Sequence, residues 1–317
     1  NIKFNKCGKL IAARNSDELI NLHRLFSLNN DSNLNLELIT KKELKNFEPN
    51  LLAKEAIFSP MTGIIDWSEF SQCLLELYCL MEGEVRYNFN VQSIEENDSN
   101  VTIEDISNNK ISGKKLISCS GLQSDRLCGF LDIDASVKII PFRGDYYLLN
   151  KKHNSLFKHL IYPVPDNNVP FLGVHFTKMI NGGVNVGPNA CLSLGRERYV
   201  KWKINFRDFV EIFSFAGFWK LLFDKKKYIF NEILLSVSKY YYFKELSSYC
   251  NRFTIDDLLP YKSGIRAQAV DCKGNLVDDF LFKNSKRCFF VLNAPSPAAT
   301  SSLPIGKYIV EKVSELI

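Results

Sequence analysis

Phe289-Phe290-Val291-Leu292 runs into Asn293-Ala294-Pro295-Ser296-Pro297-Ala298-Ala299-Thr300-Ser301-Ser302-Leu303-Pro304-Ile305-Gly306, and this stretch decides the fold. Four successive apolar residues read as a buried strand. The strand ends in a turn of prolines and small residues, and a helix then runs from about Pro297 to Ile317. Small side chains let a planar ligand approach the backbone there, and the first N–H groups of the helix favour negative charge. A tight strand-to-helix joint with no ligand is the alternative. A second joint of this kind is Leu116-Ile117-Ser118-Cys119-Ser120-Gly121, followed by a helical pattern from Leu122 to Phe130. Gly121 permits close approach either of a ligand or of the helix to its strand.

Outward from these joints, strand and helix patterns alternate. Ser16-Asp17-Glu18 supplies a capping oxygen and first-turn acids ahead of Leu19, Leu22, Leu25 and Phe26. Thr40 to Glu43 reads as a capping box, and Asp66 opens a helix that stops near Gly83. From Val85 the period becomes two, through Val91 and on to Ile103, with Asn108-Asn109 as a hairpin turn. Further strand patterns lie at 137–149, 171–176, 183–187, 265–270 and 288–292. No repeat and no Pro/Gly/Ser linker separates two halves. The expected architecture is α/β (α+β), with two subdomains that the chain crosses more than once.

Composition narrows the function. Apolar residues make up 46% and charged residues 24% of 317, which fits a globular chain. A net charge of +5 is too small for a dedicated nucleic-acid binder. The nine cysteines form no CxxC pair and the four histidines none at metal-ligand spacing, so a reducing compartment and metal-free chemistry are expected. No Gly-x-Gly-x-x-Gly, no phosphate loop and no Gly-x-Ser-x-Gly elbow occurs. No apolar run approaches the ~20 residues that span a bilayer. The chain opens on Asn1 and reads as a strand by Cys7-Gly8-Lys9-Leu10-Ile11, so an earlier segment is expected to have been removed.

Residues 196–250 stand apart, with 11 basic and 6 acidic residues and 16 aromatics. They describe a helical insert. Either its basic aromatic face rests on an anionic membrane surface, or it is an ordinary helical subdomain with buried aromatics and solvated lysines.

Three residues invite a role in chemistry. Arg266 lies in Gly264-Ile265-Arg266-Ala267-Gln268, and Arg143 in Pro141-Phe142-Arg143-Gly144. Arginine in an apolar strand needs a partner, and its planar fork matches a carboxylate, so each either binds an anionic substrate or forms a structural ion pair. His175, in Leu172-Gly173-Val174-His175-Phe176, is either a proton acceptor or a satisfied strand histidine. The helix mouth around Ser296 suits a reduced flavin, which gathers negative charge on its pyrimidine edge.

Together these segments resemble the FAD-dependent oxidoreductases of the D-amino-acid oxidase class, and within it the L-2-hydroxyglutarate oxidase/dehydrogenase family. The resemblance rests on Cys7 to Leu10, Leu116 to Leu122, Pro141 to Gly144, Leu160 to Pro165, Pro170 to His175, Val186 to Ala190, Gly264 to Ala269, Asp278 to Phe280 and Asn293 to Thr300. It implies an incomplete Rossmann-like FAD domain (67–136 and 259–317) interleaved with a mixed-sheet substrate domain (7–66 and 137–258) carrying the helical insert. By this resemblance Val91 contacts adenosine, Ser120 and Gly121 lie by the dinucleotide, and Ser296, Pro297, Ala298, Ala299 and Thr300 lie by the isoalloxazine. L-2-hydroxyglutarate would pass a hydride to FAD and become 2-oxoglutarate, with Arg266 and Arg143 on the carboxylates and His175 as base. The electrons would go to oxygen or to a membrane acceptor.

The implied location is cytoplasmic, with a peripheral position at the inner face of the cell membrane left open through 196–250. Two alternatives stay open: a related enzyme acting on glycerol 3-phosphate or an amino acid, and a non-catalytic membrane-surface or partner-binding remnant. The family's opening strand, glycine-rich turn and helix are not found in this sequence. The chain by itself is therefore expected to bind FAD poorly or not at all, an expectation that purified yellow protein with stoichiometric flavin would refute.

Overall fold

The computed structural model describes residues 2–29, 33–165, 172–201, 203–295 and 298–316. By its internal contacts the chain forms two units. The first comprises Asn1–Val85, Gly144–Cys191 and Lys227–Gly264, the second Arg86–Arg143, Leu192–Lys226 and Ile265–Ile317. The expected segment 67–136 thus divides at Val85/Arg86, and the expected insert 196–250 at Lys226/Lys227.

The first unit is built on an eight-stranded sheet. Its strand order is Leu258–Pro260, Tyr147–Leu149, Val184–Gly187, His175–Lys178, Leu160–Pro163, Lys9–Ala13, Glu55–Ser59, Glu37–Thr40. Leu160–Pro163 runs parallel to Lys9–Ala13, and Lys9–Ala13 antiparallel to Glu55–Ser59, so the sheet is mixed. Alternation along Lys9–Ala13 separates its faces. Leu10 and Ala12 enter a core with Phe157, Phe176, Tyr242 and Tyr249, whereas Ala13 packs with Ile57 and the Leu22 face of the helix Ser16–Leu28. That helix is capped one residue earlier than the sequence implied: Asn15 Oδ1 accepts from the Glu18 amide at 2.9 Å. The capping box of helix Lys41–Phe47 forms as expected, with the Thr40 amide donating to Glu43 at 2.8 Å.

The second unit contains two three-stranded sheets and part of a third. Val91–Glu96, Val101–Asp105 and Lys110–Gly113 form an antiparallel meander. Its tight turn holds Asn108 at φ 64°, stabilised by the Asp105 carboxylate, which accepts from the amides of Ser107 and Asn109 at 2.8 Å each. The alternation that begins at Val85 becomes a strand only from Val91. Leu116–Ser118 runs parallel to Cys288–Asn293, which is buried at every position and pairs on its other edge with Leu281–Asn284. Val137–Gly144 neighbours Gly264–Asp271 in another sheet.

Both strand-to-helix joints are present. Leu116–Ser118 leads through Gly121, at φ 50°, into helix Ser124–Gly129. After Cys288–Asn293 comes a 3-10 turn, Ala298–Ser301, and then helix Ser302–Ser314. Pro304 is tolerated because the first-turn amides of a helix have no intrahelical acceptor. Among the described residues no helix is long and apolar enough to cross a membrane.

Candidate functional site

In the second unit the Ser120-Gly121 turn contributes to two recesses. Gly121 lines an apolar one of about 410 Å³ together with Ala298 and Ala299. Its floor is Val291, Leu292 and Asn293 from the C-terminal strand, and its wall includes Ile305, Gly306 and Ile309 from the last helix. Asn293, only 5% exposed, fixes the strand end where the chain turns: its side-chain amide donates to the carbonyls of Val277 at 3.0 Å and Asp279 at 2.7 Å. The Ser124 hydroxyl donates to Leu292 O at 3.2 Å and ties the short helix to the same strand.

A Cβ at Gly121 or Gly306 would meet nothing within 4 Å, so both glycines face open space. Small residues, exposed backbone and an uncharged floor fit a flat ring. Thr300 lies exposed in the 3-10 turn beside Ala299. Ser296 and Pro297 lie outside the described residues.

Ser120 lines the second recess, a polar one of about 680 Å³, with Val91. Its other walls include Gln123, Arg126, Arg207 and Asp208. The sequence singled out Val91 and Ser120 but none of these four. Arg126 is held in the wall of this recess: its guanidinium donates to Asp208 at 2.5 Å, Glu211 at 2.7 Å and Gln123 at 3.0 Å.

The two candidate carboxylate binders fall on adjacent strands of one sheet. Arg143, 6% exposed, is near the end of Val137–Gly144, and Arg266 is half-buried on Gly264–Asp271.

His175 belongs to the first unit and opens the strand His175–Lys178. Its ring stacks on Tyr162, with centroids 4.1 Å apart. Its Nδ1 lies 2.9 Å from Gly173 O. A carbonyl only accepts, so Nδ1 carries the proton and Nε2 of the neutral ring has a lone pair to offer. Burial, then the nearby Lys9 ammonium, push its pKa down to about 4. The ring is therefore neutral at physiological pH. Lys9, its own pKa lowered by burial, sits 5.5 Å from the Tyr162 ring centroid.

The pairing of Tyr162 with Ile11 and of Leu160 with Lys9 sets Lys9 and Tyr162 on one sheet face, opposite Leu10. Sequence reading quoted both residues within motifs but gave neither a role. A lone lysine between Gly8 and Leu10-Ile11 was the available signal.

The Val186-Gly187-Pro188-Asn189-Ala190 motif is a tightly packed turn in the same unit. Gly187 is at φ 129°, and a Cβ there would fall 2.5 Å from Tyr242 Oη and 2.9 Å from Asp145 O. Asn189 Oδ1 accepts from the Asp145 amide at 2.7 Å.

A strand-to-helix turn lined by small residues beside a polar recess is the layout of a dinucleotide-binding oxidoreductase. The chain belongs to the FAD dependent oxidoreductase family (DAO), whose model matches residues 1–312. Within that family it is 39% identical over 316 residues to the L-2-hydroxyglutarate dehydrogenase of Salmonella houtenae, covering 100% of this chain and 75% of that protein. It is 35% identical over 331 residues to the mitochondrial L-2-hydroxyglutarate dehydrogenase of Bos taurus, covering 99% and 72%.

Among solved structures, the dithionite-reduced L-α-glycerophosphate oxidase of Mycoplasma pneumoniae with FAD bound matches with TM-score 0.76 at 18% identity, over 99% of this chain and 74% of that one. Glycine oxidase from Geobacillus kaustophilus matches with TM-score 0.71 at 14% identity, over 100% and 73%. These two likenesses establish the fold.

Proposed function

We propose that the protein oxidises L-2-hydroxyglutarate to 2-oxoglutarate with FAD. The observation that carries this reading is 39% identity across the whole chain to an L-2-hydroxyglutarate dehydrogenase. FAD, when bound, accepts the hydride from the hydroxyl-bearing carbon of the substrate. In this reading the second unit holds the cofactor. Gly121, Ala298, Ala299 and Thr300, with Ser296 and Pro297 by sequence, receive the ring, while Val91 and Ser120 receive the adenosine end. His175 is the candidate proton acceptor for the substrate hydroxyl, a role supported by the tautomer that Gly173 imposes, which leaves Nε2 with a lone pair. Arg266 and Arg143 hold the two carboxylates through paired N–H donors.

The electrons pass on to oxygen or to a membrane acceptor. Contact of the 196–250 region with the inner face of the cell membrane is supported by exposed Phe206, Trp219 and Phe223 near Lys225 and Lys226.

The test is anaerobic reduction of the flavin in the gene product at its native length. L-2-hydroxyglutarate should bleach it, and the D enantiomer, glycerol 3-phosphate and glycine should not. Bleaching by glycerol 3-phosphate or glycine alone would transfer the reading to a related oxidoreductase. Vesicle binding without any flavin uptake would replace it with a non-catalytic one.

A further inference from the structure

The polar recess of the second unit is walled by an ion network rooted in a buried arginine. Arg196 is 2% exposed and is one of the largest fully buried side chains. Its guanidinium donates to both Asp125 oxygens, the Nη2 bond measuring 2.9 Å, and to Leu122 O at 2.6 Å. It also reaches Glu211 at 3.3 Å, and its backbone amide donates to Asp208 Oδ2 at 2.8 Å. The other Asp208 oxygen accepts from Arg126, which donates as well to Glu211 and to Gln123. Gln123 in turn donates to Glu197 at 2.7 Å. Gln123, Arg126, Glu197 and Asp208 line the recess, and Arg196 and Asp125 stand behind them.

Stability alone is a weak reason for such a network, since desolvating the charges offsets most of their attraction. Arg196 Nε adds to the cost: it is buried and has no hydrogen-bond partner among the described residues. What the network does provide is fixed placement. Arg126, Asp208 and Gln123 are each held by a bond that leads back to Arg196, and Glu197 through Gln123, so this part of the wall keeps its shape without help from a ligand. The placed groups are an amide, a guanidinium and carboxylates, close to the Ser120 hydroxyl. These donors and acceptors suit ribose hydroxyls and the edge of a purine, and the guanidinium plane suits its face.

We propose that Arg196 is a positioning residue for the adenosine end of the dinucleotide, acting through Asp125, Asp208 and Glu211 on Gln123 and Arg126. The proposal rests on the FAD reading above and adds to it a residue that never touches the ligand.

The experiment measures ADP affinity by calorimetry in the native-length gene product, with Arg196→Met, Arg196→Lys and Arg126→Gln. Each variant is also saturated with FAD to record its visible spectrum, which reports the surroundings of the ring. ADP affinity should fall about tenfold or more in Arg196→Met and Arg126→Gln and less in Arg196→Lys, which keeps the charge without the fork. The spectrum of bound FAD should not change. Should Arg196→Met not fold, the other two variants give the same reading.

Unchanged ADP affinity in folded variants would overturn the proposal, as would a ring spectrum altered together with ADP affinity. Parent protein that binds FAD but not ADP would overturn it too, leaving the FAD reading intact. Parent protein that binds neither would remove that reading as well.

Discussion

Glutamine in place of Glu232 should remove a pH dependence of stability. Glu232 is 7% exposed on the helix Lys226–Val237, and its Oε2 accepts from the Ala190 amide at 2.5 Å, at the end of the Gly187-Pro188-Asn189 turn. Burial pushes its pKa up to about 7, with the Ala190 amide and the Tyr228 hydroxyl pulling the other way. From an ordinary value of 4.5, that elevation corresponds to about 3 kcal/mol. The folded protein holds this proton more tightly than the unfolded chain does. The contribution is therefore complete below about pH 4.5, declines as pH rises, and is gone above about pH 7.

Glu232→Gln keeps an oxygen for the Ala190 amide and carries no charge at any pH. The two proteins should have similar stability near the low end of that window, and the variant should be more stable by about 3 kcal/mol at the high end. Urea unfolding of both proteins at a series of pH values measures the difference directly. A difference that stays constant across the window would refute the reasoning, and so would one that shrinks as pH rises.

Three further outcomes are expected. His175→Gln should lower kcat by roughly 10²–10⁴-fold. In the parent, the acid limb of the pH–rate profile due to this ring should fall near 4, and a limb at the ordinary histidine value would contradict the assigned burial. Gly306→Leu should raise the melting temperature slightly, since leucine favours a helix over glycine by about 1 kcal/mol, while abolishing flavin uptake by filling the recess. Retained flavin in that variant would exclude the apolar recess as the ring site. Gly187→Ala should destabilise the fold by about 3 kcal/mol, because its Cβ would meet Tyr242 Oη at 2.5 Å in a backbone conformation that alanine resists; a melt within a degree of the parent would show that the turn can relax.

The elements legible in the sequence were those decided locally. Leu116 to Gly121 announces a strand and turn because apolar residues stop at a serine-glycine pair, and the capping box at Thr40 and Glu43 is complete within four residues. The cap of the first helix was displaced by one position because Asn15 and Ser16 both offer a suitable oxygen, and only the backbone decides between them. Strand order was not legible: nothing local to Leu160–Pro163 says that it lies beside Lys9–Ala13.

The candidate site divides in the same way. Small residues around Ala298 leave a recess by their own size. Gly195-Arg196-Glu197-Arg198, in contrast, looks like a solvated charge run, and the burial of Arg196 depends on Asp125 and Glu211 arriving from elsewhere in the chain. Lys9 and Tyr162 were given no role because their proximity is a matter of cross-strand register.

The parallel pairing of Leu116–Ser118 with Cys288–Asn293 has a bearing on biosynthesis. The first of these strands leaves the ribosome well before the second has been translated, whereas Lys9–Ala13 can find Glu55–Ser59 early. Until Cys288–Asn293 emerges, Leu116–Ser118 lacks the strand that pairs with it in the finished sheet, and chaperone occupancy of the nascent chain should concentrate on that interval. Truncation just before Cys288 would leave the second unit permanently at that stage.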